Sequence, residues 1–270
     1  MIFNTSHLGF KLLSGNLKER RVHSEQLNKF VAGYFDSDGY ITYYITAAKA
    51  YVLKGGIAQS GKVDTDGRLL KALKDFYGIG RIYYNQKKHM YYWEFERKEA
   101  KKFYNIIGKH LIVKQKHYQS MIDFYDNKQS ENLDKLRTES RKASPFMTHK
   151  KHISPAYLAG FIAGDGYVRV RIDKQKGNRL CIVIKLHVDD VSILEAIKTD
   201  YGGKMYFLKN VPHVQWELNL NVGNPKAVET CKTLRKYLCL DYKYEALGKI
   251  IEYHKQRAET KRLKLEESMR

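Results

Sequence analysis

The sequence predicts an α+β fold in which two tandem αββαββα units pair as a pseudo-twofold dimer within one chain. Three observations support this prediction: a ten-residue motif occurs twice, two tryptophans lie in matching contexts, and positive charge is spread along the whole chain. At 270 residues the chain is long enough to form two modest hydrophobic cores.

The repeated motif reads VAGYFDSDGY at 31–40 and LAGFIAGDGY at 158–167. Five of its ten positions are identical, and they include Asp38 and Asp165, which are 127 positions apart. A single Asp-Gly pair after a helix would be an ordinary turn. Two copies, each with the same Ala-Gly upstream, indicate a duplicated element that ends in a carboxylate.

The repeat extends beyond the motif. The only two tryptophans, Trp93 and Trp216, are each followed by a glutamate and preceded by a glycine turn, at Gly80 and Gly203. Two like units in one chain imply an intramolecular pseudo-dimer.

The limits of the repeat divide the chain. The span from about 25 to 125 is duplicated at about 153 to 252. We therefore expect a first unit with a short N-terminal extension at 1–126, a polar linker at 127–150, and a second unit at 151–270.

Each unit is predicted to begin with the helix that carries the motif. Ser24 is the expected N-cap of the first helix, and Ser154 followed by Pro155 is that of the second. Gly39 and Gly166 supply the helix stops.

Strands and further helices follow each motif. Apolar and polar residues alternate over 168–173, which predicts a half-buried strand, and 40–45 repeats the pattern less cleanly. The remaining predicted elements are a second strand (about 51–59 and 180–187), a helix (about 66–77 and 190–201), a hairpin (about 80–96 and 204–220) and helices to the end of each unit. Charge signs alternate on a helical period over 246–270, which predicts a solvated helix with a frayed end.

Composition favours a nucleic-acid-binding protein over a disulfide-rich, zinc-binding or membrane protein. The chain has 49 Lys and Arg against 29 Asp and Glu, a formal charge of +20, and such a field suits a polyanion. Its three cysteines have no C-x-x-C spacing, which argues against a disulfide framework and a zinc site. No apolar run reaches membrane-spanning length, and the amino terminus lacks a signal-peptide layout. We expect no membrane partner, no secretion, and a reducing, nucleic-acid-containing compartment: the protein is expected to be cytoplasmic, phage-encoded or organellar.

Small residues predict how the two motif helices meet. Gly33 and Ser37, and likewise Gly160 and Gly164, lie one turn apart, the spacing that lets two helix backbones approach. Pairing these faces would bring the two motif acids together at the helix carboxyl ends.

Two carboxylates at these ends repel each other, and each lies at the negative end of a helix dipole. The arrangement is unfavourable unless divalent cations lie between them. Hard oxygen ligands favour Mg²⁺ or Mn²⁺, so Asp38 and Asp165 are the predicted metal ligands and catalytic acids. Asp36 has Ala163 as its counterpart, so we interpret it as a cap or a solvated neighbour.

Both motif copies resemble the LAGLIDADG motif of the homing endonucleases, and the resemblance to the monomeric, double-motif type covers about 230 of the 270 residues. The resemblance implies two saddle-shaped antiparallel sheets over the major groove of double-stranded DNA. It also implies site-specific, metal-dependent cleavage of that DNA by a monomer.

Further catalytic residues are implied by the same resemblance. Gln59 lies 21 residues after Asp38, and His187 lies 22 residues after Asp165, both at the position of the family's strand-end glutamine. Lys114, 76 residues after Asp38, matches the active-site lysine, which would polarise water or stabilise the phosphorane.

The second unit departs from the pattern. The residue 76 positions after Asp165 is Asp241, and Lys243 then matches Lys116. One scissile phosphate is therefore expected to lack its positive partner unless Lys243 substitutes. We expect that strand to be cut more slowly.

The predicted DNA contacts come from the strands. Arg169 and Arg171 alternate with apolar residues, and this pattern together with the net charge favours groove contacts over a merely solvated face. The full predicted set is Tyr44, Lys54, Arg81, Tyr83, Arg169, Arg171, Lys185 and Lys204.

Two other functions remain open at this point. One is an RNA-binding intron maturase on the same fold, with intron RNA as its partner, and the other is a DNA-binding regulator that does not cleave. Retention of both terminal acids favours the nuclease, because a pure binding protein would gain by losing two repelling carboxylates.

Overall fold

The computed structural model describes residues 17–62, 66–127, 152–173, 175, 177–221 and 223–269. The predicted linker at 127–150 lies outside the described residues except for Asn127, which ends a helix. Within the described residues no helix is both long enough and apolar enough to cross a membrane.

The described residues of the first unit form four helices and four strands. They are α1 (Leu17–Asp38), β1 (Gly39–Ile45), β2 (Tyr51–Ser60), α2 (Arg68–Tyr77), β3 (Arg81–Asn85), β4 (Met90–Glu96), α3 (Lys98–Ile107) and α4 (Gln115–Asn127), with a 3-10 turn at Gly108–His110.

The second unit repeats this order. Its elements are α5 (Pro155–Gly164), β5 (Gly166–Arg171), β6 (Arg179–His187), a 3-10 turn (Val188–Asp190), α6 (Val191–Tyr201), β7 (Lys204–Phe207), β8 (His213–Asn219), α7 (Ala227–Arg235) and α8 (Asp241–Ser268).

Each unit has one four-stranded antiparallel sheet. The strand orders are β1-β2-β4-β3 and β5-β6-β8-β7, so the two sheets have the same topology. The predicted α+β class is confirmed. The final helical element of each αββαββα unit is a pair of helices, α3 with α4 and α7 with α8.

Helix starts were predicted correctly in one unit and wrongly in the other. The Ser154 hydroxyl accepts a hydrogen bond from the Tyr157 N–H at 3.3 Å, which confirms it as the N-cap of α5. Ser24 is not a cap, because α1 begins seven residues earlier at Leu17. The intervening residues are mostly good helix formers with no glycine or proline, so the helix continues through the serine.

The tryptophans confirm that the repeat extends into the cores. Trp93 and Trp216 are fully buried. The indole N–H of Trp93 donates to the Ile79 carbonyl and that of Trp216 to the Gly202 carbonyl, each at 2.8 Å. The same side chain therefore closes the same turn against the core in both units.

The helices α1 and α5 form the seam between the units. A Cβ added to Gly33 would lie 2.0 Å from the Tyr157 carbonyl oxygen, and one added to Gly160 would lie 1.9 Å from that of Phe30. Only residues without a side chain permit this approach. The seam brings the carboxyl ends of α1 and α5 side by side.

Candidate active site

Two carboxylates lie at the adjoining helix ends. Asp38 is the last residue of α1, and Asp165 directly follows α5. A Cβ on Gly164, the residue before Asp165, would lie 3.0 Å from the Asp38 Cγ. The carboxylates thus come from separate units and meet in one place, as the small-residue spacing predicts.

Burial and charge both act on these acids. Burial raises the pKa of Asp38 to about 6, and the charge of Asp165 raises it as well, while Lys243 and Lys114 act to lower it. Burial also raises the pKa of Asp165 against the lowering effect of the same two lysines. Both carboxylates are therefore costly to ionise in the absence of a bound cation.

Two lysine side chains cap the carboxyl ends of these helices. The Lys114 ammonium donates to three backbone carbonyls around the end of α1: Phe35 at 3.0 Å, Ser37 at 3.0 Å and Gly39 at 2.7 Å. The Lys243 ammonium does the same at the end of α5: Ile162 at 2.6 Å, Ala163 at 2.8 Å and Gly164 at 3.5 Å. Each lysine places a positive charge where the helix dipole and the carboxylates are negative.

This geometry corrects the assignment of Asp241 as the counterpart of Lys114. Lys243 makes the equivalent contacts, because it lies on the first turn of α8 and its flexible stem reaches the end of α5. Asp241 instead pairs with Arg68 at 2.9 Å, and its side chain is 64% exposed. Each helix end therefore has one motif acid and one lysine that holds its carbonyls.

Burial shifts the pKa values of the two lysines in the opposite direction to those of the two acids. Burial lowers the pKa of Lys243 to about 8, and the two carboxylates oppose this shift. Burial likewise lowers the pKa of Lys114. Lys114 and Lys243 both lie within electrostatic reach of Asp38 and Asp165, and the catalytic role expected of Lys114 stays a prediction.

Asp36 is neither solvated nor a cap of its own helix. Its side chain is buried. It links α1 to the residues just before α4 and to the second unit. It accepts backbone N–H bonds from Ile112 at 2.7 Å, Val113 at 3.1 Å and Lys114 at 2.8 Å, and a hydroxyl bond from Tyr157 at 2.7 Å. Asp36 thereby fixes the backbone that carries Lys114.

Strand register separates Gln59 from His187. Gly39 pairs with Ile57 and Gly166 pairs with Ile184, so Gln59 corresponds to Leu186 and not to His187. A one-residue offset places two side chains on opposite faces of a sheet.

The contacts of the two residues agree with this difference. Gln59 is buried and accepts a hydrogen bond from the Tyr34 hydroxyl of α1. His187 is exposed, and its Nδ1 lies 3.0 Å from the Asp189 carboxylate. The expectation that they are equivalent catalytic residues is therefore wrong in geometry.

Sequence reasoning missed a third acid near the site. Asp190 ends the 3-10 turn after β6. Burial raises its pKa, and the charge of Lys114 lowers it, which places this carboxylate within electrostatic reach of the first unit's lysine. The available signal was the acidic pair that follows His187 at a strand end.

The predicted DNA contacts of the first unit share one sheet face. We define the first outer face by the strand side chains that point away from the core: Tyr40, Thr42, Tyr44, Lys54, Arg81, Tyr83, Tyr92, Glu94 and Glu96. Sequence reasoning missed both glutamates. Glu94 lies 2.7 Å from the Lys54 ammonium, and Glu96 lies 3.3 Å from the Arg81 guanidinium.

The second unit presents the equivalent face. We define the second outer face by Tyr167, Arg169, Arg171, Arg179, Lys185, Lys204, Gln215, Glu217 and Asn219. All four predicted contacts of this unit lie on it. Arg179, which was not predicted, pairs with Glu217 at 2.9 Å.

The donor set at the helix ends suits a hard divalent cation. Asp38 and Asp165 offer carboxylate oxygens, and a bound cation would offset the burial and the mutual repulsion that raise the pKa of Asp38. Among the described residues, no group of three or more His, Cys, Asp or Glu side chains gathers to hold a metal. The two helix-end acids are the residues that could share one.

Solved structures share the fold. I-SmaMI, a LAGLIDADG homing endonuclease bound to cleaved DNA, superposes with a TM-score of 0.66 at 17% identity, over 87% of this chain and 91% of that chain. Its complex with an uncleaved DNA target and calcium gives 0.64 at 16% identity, over 86% and 92%. I-LtrWI bound to target DNA gives 0.61 at 17%, over 86% and 92%. No curated protein matches the chain in sequence.

The family model described as LAGLIDADG endonuclease matches the chain twice, at residues 31–129 and 158–254. These two matches contain both motif acids, both lysines and both sheets. The chain belongs to the LAGLIDADG endonuclease family.

Proposed function

We propose that the protein is a site-specific double-stranded DNA endonuclease that uses Mg²⁺ or Mn²⁺ held by Asp38 and Asp165. The observation that carries the proposal is the meeting of these carboxylates, one from each unit, at the end of a seam flanked by two equivalent lysines. The solved relatives support DNA as the partner, and the calcium-containing I-SmaMI complex supports a divalent cation.

The protein's own residues have distinct tasks in this proposal. A bound divalent cation would supply activation of a water molecule and stabilisation of the leaving oxygen. Asp38 and Asp165 would hold the cation through their ionised carboxylates. Lys114 and Lys243 hold the helix ends and offset the negative charge, which keeps both acids available to the metal.

The remaining parts of the molecule bind the duplex. The two outer faces would lie in the major groove of successive half-sites of one target, as a monomer with two like units allows. Asp190 lies near Lys114 and adds negative charge on one side of the site only.

A cleavage experiment tests this function. The purified protein would be incubated with the intronless insertion-site duplex or with a pool of randomised duplexes, with Mg²⁺ or with a chelator. We expect double-strand cleavage with Mg²⁺ alone. Asp38→Asn and Asp165→Asn should each lower the rate by roughly a thousandfold or more and leave binding in Ca²⁺ intact.

Asp241→Asn is the matched control, because it removes an exposed carboxylate that pairs with Arg68 outside the helix-end cluster. This variant should cleave like the wild type. Binding without metal-dependent cleavage would support the maturase or the regulator instead. Wild-type-like cleavage by either motif-acid variant would remove the assignment of the acids.

A further inference from the structure

The two outer faces differ sharply in charge. We propose, on the basis of the proposed function, that the units divide DNA recognition: the second outer face supplies the phosphate contacts that hold the duplex, and the first outer face reads base edges through a charge-compensated network around Glu94. Nothing in the shared fold requires this division, because the strands of both sheets have the same order and register.

The charges on the first outer face cancel. Its strands carry two basic residues, Lys54 and Arg81, and two acidic ones, Glu94 and Glu96. Each basic side chain pairs with one of the acids, at 2.7 Å and 3.3 Å. A lysine or arginine already paired in this way releases few counterions from DNA, so this face contributes little salt-dependent affinity.

Hydrogen bonds to Glu94 orient two tyrosine hydroxyls on the first outer face, so that their oxygens can act as acceptors. Glu94 is only 3% exposed and accepts bonds from the hydroxyls of Tyr40 and Tyr83, the latter at 3.0 Å. The Tyr83 ring stacks on Tyr92 with centroids 4.8 Å apart. Because each hydroxyl hydrogen is directed at the glutamate, its oxygen remains an acceptor, which suits the amino groups of cytosine and adenine in the major groove.

The second outer face is strongly basic. Its strands carry five basic residues and one acidic residue, Glu217. Arg179 pairs with this glutamate at 2.9 Å. The side chains of Arg171, Lys185 and Lys204 are exposed and form no ion pair within the part of the chain that the structure describes. Such side chains are free to neutralise phosphates or to bind guanine.

Equivalent positions show where the faces diverged. Glu94 and Glu217 occupy the same register, opposite Gly56 and Val183. Tyr40 donates to Glu94, whereas its counterpart Tyr167 accepts from Arg169 at 2.9 Å.

The positions further along the first strand changed more. Thr42 and Tyr44 correspond to Arg169 and Arg171, so the first face has neutral side chains at two positions where the second face has arginines. On the interior strands, Glu96 of β4 corresponds to the neutral Asn219 of β8. The charge difference therefore arises at several independent positions.

Salt titrations of the full-length protein test the division. The target duplex would be titrated in Ca²⁺ over a series of salt concentrations with the wild type, with Arg171→Gln/Lys185→Gln, and with Arg81→Gln/Glu96→Gln. The last variant is the matched control, since it also changes two outer-face residues but removes a whole ion pair and no net charge. Thermal melting would confirm that each variant folds.

We expect the slope of log Kd against log salt to fall by about two for the second-face variant and to stay within about half a unit of wild type for the first-face control. Each half of the cleaved target would then be bound separately. One half should be held at least about tenfold more tightly, and Arg171→Gln/Lys185→Gln should remove that advantage.

The outcomes separate this inference from the proposed function. Equal slope changes in the two variants, or equal affinity for the two half-duplexes, would overturn the division of recognition while leaving cleavage by the wild type in place. Failure of the wild type to bind or cleave any duplex would overturn the proposed function itself.

Discussion

The two helix ends of the seam are nearly equivalent, whereas the two outer faces are not. Lys114 and Lys243 each hold three helix-end carbonyls, and each lies near both acids. The faces, with the same strand order, carry cancelling charges in one unit and a large positive excess in the other. Close packing and charge compensation constrain the seam, while outward-facing side chains are free to diverge.

Substitutions at the seam should have the largest effect. Gly33→Ala and Gly160→Ala each place a Cβ about 2 Å from a backbone oxygen of the opposite helix, a clash that no side-chain rotation relieves. Each should destabilise folding by about 3 kcal/mol or more. Urea unfolding would measure this, with Gly223→Ala as the control because a Cβ there meets nothing within 4 Å. Control-like stability of either seam variant would show that the helices are not this close.

The next largest effect on stability is expected at Asp36, which has no acidic counterpart in the second unit. Asp36→Ala removes the acceptor of three backbone N–H groups and of the Tyr157 hydroxyl, all in a buried region. Unfolding free energy should fall by about 3 kcal/mol. Asp75→Ala, which removes a largely exposed carboxylate paired with Lys74, should change it by less than about 0.5 kcal/mol. Similar losses in both variants would contradict the anchoring role of Asp36.

A pH comparison probes the charge at the seam. The pKa of Asp38 is raised from 3.8 to about 6 in the folded protein, so folding favours its protonated form. The stability that this shift contributes is present below about pH 4 and is lost as pH rises through about 6.

Without metal, Asp38→Asn should therefore be more stable than wild type above pH 6, by on the order of 2 kcal/mol, and should match it below pH 4. Chemical unfolding at each pH with a chelator would measure the difference. A difference independent of pH would show that the carboxylate is not perturbed.

The smallest expected effect is on the first outer face. Glu94→Gln keeps the shape of the side chain but frees the charge of Lys54. Affinity for DNA should rise by roughly three- to tenfold, the salt slope should steepen by up to about one, and discrimination between bases should relax. Competition binding with single-base target variants would measure all three. Unchanged discrimination would argue against a reading role for the network around Glu94.

Repeats and small residues allowed most of the fold to be predicted from the sequence. The 127-residue offset between the motif acids gave the two units, the alternating apolar pattern gave their strands, and Gly33 and Gly160 gave the seam. The meeting of Asp38 with Asp165 followed from that seam alone.

The errors came from features that sequence spacing does not encode. The flexible stem of Lys243 reaches the place that residue counting gave to Asp241. A one-residue shift in register separated Gln59 from His187. The partners of Asp36 lie 76 or more positions away along the chain, so no local pattern could distinguish a buried anchor from a solvated carboxylate.

We propose that the two helix ends are equivalent halves of one catalytic centre. Strand-resolved cleavage by Lys114→Met and Lys243→Met is the sharpest test of this equivalence, with folding checked by thermal melting and DNA binding. Each variant removes a positive charge that lowers the pKa of both acids.

Each lysine variant should therefore slow cleavage of both strands to a similar extent and move the acidic limb of the pH–rate profile to higher pH. The contrary result would be loss of one strand's cleavage in Lys114→Met together with wild-type behaviour of Lys243→Met. That outcome would mean that Lys243 has no part in the reaction and that the two ends are not equivalent.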